Sequence, residues 1–112
     1  MLAPMADTLS LDNAVQPEKC TSMDDVRSGV DALDQALVAL LALRFGYMRA
    51  AARIKSDRNA VRDENRKAEV IANVRTAAQA LGVPGELAGQ IWEQLVEGSI
   101  AYELAEWDRL NG

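Results

Sequence analysis

Between Ser22 and Ser56 the chain contains no proline, and one row of positions recurs in alternating steps of four and three: Val26, Val30, Leu33, Leu37, Leu40, Arg44, Tyr47, Ala51 and Ile54. That spacing is the seam of an amphipathic helix. At ~1.5 Å per residue the span makes about 50 Å of helix, whereas a compact chain of this size has a radius of gyration of only about 13 Å. Such a helix overhangs its own domain, and a second copy of the chain is the expected cover for its apolar length. One member of the seam is a guanidinium. Burying Arg44 unpaired costs several kcal/mol or more, so it must meet a carboxylate or a bound anion.

Two further helices are expected. Ser22 followed by Asp25 approximates a capping box at the start of the first, and Ser56, Asp57, Arg58 and Asn59 read as the loop that ends it. A second helix from about Asp63 to Leu81 puts Arg66, Val70, Val74, Ala77 and Leu81 on one stripe and stops at Gly82. A third, with Pro84 in its first turn, runs to about Leu110. Trp92, Leu95, Val96, Ile100 and Trp107 form its apolar face, interrupted by Ser99 and Glu103. The fold class is therefore all-α: three helices per chain, the first very long, shared in a homodimeric bundle. Residues 1–20 mix Pro4, Pro17 and small polar residues without a sustained period and are expected to be a flexible tail, leaving 21–112 as the helical domain.

Composition narrows the chemistry. There is no histidine and a single cysteine, Cys20, which disfavours hydrolase triads, structural metal sites and an internal disulfide. No metal or cofactor is expected. The net charge of −5 opposes nucleic acid and anionic lipid, so any anion must be captured by a local cluster. The apolar run Ala36–Leu43 is too short to span a bilayer. Met1 to Ala14 lacks a basic start and carries Asp7 and Asp12, which makes the cytoplasm the expected compartment.

A local cluster is available. Lys55 lies eleven residues beyond Arg44, only about 20° away around the helix and ~16 Å along it, so both side chains can reach one small anion. Arg27 is about 100° off that face and ~25 Å from Arg44, and serves such a site only from a partner chain. Arg66 with Asp63 from the second helix, and Ser99 with Glu103 from the third, add inward polar groups. Each has an ordinary structural alternative. Arg44 alone suits a carboxylate across the bundle, Lys55 a solvated helix end, Arg66 an exposed neighbour of Glu64, Glu103 an ion-pair partner of Arg66, and Ser99 a bond back to the carbonyl of Leu95. Together the inward positions hold more cations than carboxylates, an imbalance that a small polyanion corrects.

These residues resemble the all-helical, intertwined-dimer chorismate mutases and the related isochorismate pyruvate lyases over about Lys19 to Trp107. The resemblance is carried by Asp25-Val26-Arg27, Val30-Asp31 with Asp34, Leu43-Arg44, Ala50 to Lys55, Val61-Arg62-Asp63 with Arg66, and Gly98-Ser99 with Glu103. It implies two active sites per dimer, with Arg27 donated by the partner chain. Arg44 and Arg66 then hold the carboxylates of chorismate, Lys55 bonds the ether oxygen and a carboxylate, Asp63 lies near the ring hydroxyl, and Ser99 helps hold the ring carboxylate. The reaction implied is the pericyclic rearrangement of chorismate to prephenate, the shikimate-pathway step toward phenylalanine and tyrosine. It needs neither nucleophile nor metal.

Two positions depart from the common bacterial pattern. Glu103 stands where many members have glutamine, and an ionised glutamate can only accept, so Glu103 must carry a proton to donate to the ether oxygen. Lys67 stands where bacterial mutases often place a glutamate. The lyase branch also lacks that glutamate, and Lys19-Cys20-Thr21 before Asp25-Val26-Arg27 looks like the lyases, whereas Val61-Arg62-Asp63 with Arg66 looks like the mutases. Mutase is the first reading and isochorismate pyruvate lyase the alternative. A non-catalytic helical dimerisation module is a third.

Overall fold

The structure is a computed structural model that describes residues 14–112, and within them all regular structure is helical. Helix α1 is Met23–Ile54, α2 is Glu64–Ala80 and α3 is Gly85–Asn111, with 3-10 turns at Pro17–Lys19 and Arg58–Ala60. Of the tail expected over 1–20, residues 1–13 lie outside the described residues, and the remainder contains the Pro17–Lys19 turn. The chain divides into two compact units between Phe45 and Gly46.

In the first unit the start of α1 is fixed by reciprocal capping. Ser22 Oγ accepts from the Asp25 amide at 3.1 Å, and Asp25 Oδ2 accepts from the Thr21 amide at 3.1 Å. This is a capping box set one residue outward on its return arm, and Asp24 and Asp25 also complement the helix dipole. The 32 residues of α1 make about 48 Å of helix. Its seam is bare in the single chain: Val30 is 49%, Leu33 47% and Leu37 56% exposed.

The second unit holds the last turns of α1, the Arg58–Ala60 turn, α2 and α3, with α2 packed along α3. Its core is Val61, Val96 and Ile100, flanked by Val70, Trp92 and Leu104. Full burial of each such side chain is worth about 1.5–3 kcal/mol. Asp57 and Asp63 cap the two helical starts, accepting from the amides of Asn59 and Arg66 at 3.0 Å each. Helix α2 ends in the Schellman arrangement expected of Gly82, whose φ is +77°. The Val83 amide donates to Ala78 O at 2.8 Å and the Gly82 amide to Gln79 O at 3.3 Å.

One sequence expectation is corrected here. The inward stripe of α2 is Lys67, Val70, Ile71, Val74 and Ala78, whereas Arg66, Ala77 and Leu81 are exposed. Val70 and Val74 belong to both stripes, but the face is turned by about half a residue step toward Lys67, whose Nζ reaches Glu93 and Glu97 on α3 at 2.7 Å each. Pro84 likewise precedes the first residue of α3 rather than standing inside its first turn.

Candidate functional site

The last turn of α1 and the middle of α3 meet around Lys55. Its Nζ donates to Glu103 Oε2 at 2.8 Å, with the carboxylate side chain 6% exposed and the lysine side chain 29%. Glu103 and Ser99 are the two buried polar residues of the second unit, one helical turn apart on the face of α3 that also carries Val96 and Ile100. An ionised carboxylate is tolerated there because an ammonium meets it directly; alone it would be strongly unfavourable. The cation that meets the Glu103 carboxylate is therefore Lys55, not the Arg66 allowed for by the sequence.

Around this pair a second ring of contacts holds α3 against the end of α1 and the following turn. The Trp107 indole Nε1 donates to the main-chain carbonyl of Lys55 at 3.0 Å, and Arg49 donates to the Tyr102 hydroxyl at 2.9 Å. Arg58 grips Asp108 through Nε and Nη2 at 2.7 and 3.1 Å. That bond lowers the Asp108 carboxyl and raises the Arg58 guanidinium from their ordinary values.

The other candidate residues have individual fates. Ser99 Oγ donates to Leu95 O at 2.7 Å, the local back-bond that is its ordinary structural role in a helix. Asp63 is the N-cap of α2, so its carboxylate already accepts an amide. Arg66 is exposed and pairs with Glu69 on its own helix, which the sequence reading did not count as a partner. The structure thus brings Lys55 and Glu103 together and leaves Arg66 out of that pair. Arg27 and Arg44 belong to the first unit. Arg27 is exposed; Arg44 is half-buried, and that burial lowers its pKa from the ordinary value. Within the second unit, Lys55 and Lys67 are each paired with carboxylates of α3.

A separate cluster lies where Lys67 faces α3. Arg62 binds Glu97 through both terminal nitrogens, at 3.1 and 2.8 Å, and Glu64 at 2.8 Å, while Lys67 bridges Glu93 and Glu97. The Arg62 hydrogen bond, then that of Lys67, pulls the Glu97 carboxyl down to about 2. Lys67 is thereby committed to protein carboxylates.

Two open grooves, of about 410 and 600 Å³, are lined by other residues: one by Val15, Pro17, Val26, Val30 and their neighbours, the other by Lys67, Ile71, Arg75, Glu93 and theirs. Neither groove is lined by Lys55 or Glu103. The sequence reading missed the polar role of Trp107; its signal was the four-residue step from Glu103, which puts both on one face of α3.

Comparison with known proteins identifies the family. The family model described as chorismate mutase type II matches residues 26–104. The chain is also similar to the isochorismate pyruvate lyase of Pseudomonas aeruginosa, with 27% identity over 96 residues that cover 86% of this chain and 95% of the lyase.

Proposed function

The chain belongs to the chorismate mutase type II family, and from that premise we propose that it rearranges chorismate to prephenate. The observation that carries the reading is the Lys55–Glu103 pair, an ammonium held against a buried carboxylate of α3, within a family match that spans every candidate residue from Arg27 to Glu103. In the rearrangement the ether C–O bond breaks as a new C–C bond forms, and negative charge grows on the ether oxygen. Lys55 donates to that oxygen, and the substrate competes with Glu103 for its ammonium. Arg44 grips a carboxylate, holding the compact conformer that reacts. Asp63, Arg66 and Ser99 bind the remaining polar groups once Arg66 turns from Glu69.

The active assembly we propose is a homodimer. The exposed row Val26, Val30, Leu33 and Leu37 is covered by a second copy, and Arg27 of each chain completes the other's site. Sedimentation across a range of concentrations tests this: a monomer at micromolar concentration overturns it.

The similarity to the Pseudomonas aeruginosa lyase favours a second reading, cleavage of isochorismate to salicylate and pyruvate. Incubating the purified protein separately with chorismate and isochorismate, and identifying the products, decides between them. Prephenate supports the first reading, salicylate with pyruvate the second, and no product from either substrate overturns both.

A further inference from the structure

We infer that Trp107 is a positioning residue for Lys55, an inference that rests on the reading of Lys55 as the group that meets the substrate. Helix α1 ends at Ile54. The Lys55 amide still bonds Ala51 O at 2.9 Å, but its own carbonyl is one of the orphan acceptors that every helix C-terminus leaves. The Trp107 indole N–H fills that vacancy at 3.0 Å. Trp107 follows Glu103 by four residues, so one turn of α3 holds Lys55 at both ends: Glu103 binds its ammonium and Trp107 its main chain.

This double hold solves a specific problem. Lysine is a point charge on a flexible four-carbon stem, and the last residues of a helix fray most easily. The pair with Glu103 must open for the ammonium to turn to a substrate. When it does, the indole bond to the backbone persists and keeps the stem's origin fixed. Burying the indole ring against α1 would satisfy hydrophobic packing in many orientations. Aiming its N–H at the Lys55 carbonyl is a directional feature that packing alone does not require.

The test is Trp107→Phe in the full chain, alone and combined with Lys55→Ala. With the productive substrate, W107F lowers kcat on the order of 10- to 100-fold, as expected for a misplaced catalytic group, with a smaller change in KM. In the K55A background W107F causes no further loss. An equal loss in both backgrounds overturns the inference. A second readout needs no turnover: competitive acetylation followed by mass spectrometry at the three lysines, Lys19, Lys55 and Lys67. W107F raises labelling of Lys55 several-fold and leaves Lys67 unchanged; unaltered labelling of Lys55 overturns the inference. If the wild-type protein converts neither chorismate nor isochorismate, the functional reading fails and the labelling alone decides the role of Trp107. Should W107F not fold, benzothienylalanine at position 107, which keeps the bicyclic shape and removes the N–H, takes its place in both measurements.

Discussion

Lys55 Nζ and Glu103 Oε2 lie 2.8 Å apart across the junction of α1 and α3, with the carboxylate nearly sealed from solvent. The carboxylate is the more deeply buried of the two, so removing the lysine alone is costly, whereas removing both charges together is not. Lys55→Ala leaves a buried carboxylate without its counter-ion and is expected to destabilise the fold by about 2–4 kcal/mol. Glu103→Gln keeps an acceptor for the ammonium and is expected to cost less than about 1 kcal/mol. K55M/E103Q recovers most of the loss of K55A. Urea unfolding of the variants measures all of these, and a single-variant K55A as stable as wild type would contradict the pairing.

Under the proposed function, Arg44→Ala removes charge-assisted bonds to a substrate carboxylate, worth about 1.5–3 kcal/mol each. At ~1.4 kcal/mol per decade, kcat/KM is expected to fall at least 10-fold and about 100-fold or more if two bonds are lost. Circular dichroism should remain that of a helical protein. A variant with unchanged turnover would remove Arg44 from the site.

Asp63 has a cap to hold and a proposed substrate contact, and two substitutions separate them. Asp63→Ala loses the bond to the Arg66 amide and is expected to destabilise by about 1 kcal/mol. Asp63→Asn retains a capping acceptor, so its melting temperature stays near that of wild type while its turnover reports on the carboxylate alone. Equal activity for D63N and wild type would confine Asp63 to the cap.

Acid should loosen the fold through Glu97. Its carboxyl is held at about 2, below the ordinary 4.5, by Arg62 first and Lys67 second. A carboxyl depressed in the folded state adds stability above its unfolded pKa and loses it as pH falls through the folded value. Asp108 beside Arg58 and Glu106 beside Arg109 are lowered in the same sense. The urea midpoint is therefore expected to decline from about pH 4.5 toward pH 2, and Glu97→Gln to flatten part of that decline. Glu97 and Asp108 are open to solvent, with side chains 40% and 50% exposed, so the slope should shrink at high salt.

Much of the architecture was legible because it is written locally. The four-three spacing of α1, the Ser22–Asp25 cap and the left-handed turn at Gly82 each depend on neighbours within one or two helical turns, and the structure contains them at those residues. The buried polar positions Ser99 and Glu103 were also visible, since the period of α3 places them on the same face as Leu95, Val96 and Ile100.

Partner choice was not legible, because it depends on where helices distant in sequence come to rest. By itself the sequence determined three helices, the cap at Ser22 and the stop at Gly82, and a long apolar seam on the first helix. Only the tertiary structure decided that Lys67 rather than Arg66 faces α3, and that Arg66 turns to Glu69. It likewise joined Glu103 to Lys55 and aimed the indole of Trp107 at the end of α1. A rotation of one residue moves a helical side chain by about 100°, and periodicity with alternating threes and fours leaves that rotation open. Packing fixes it, and so decides which charge is buried and which carboxylate neutralises it.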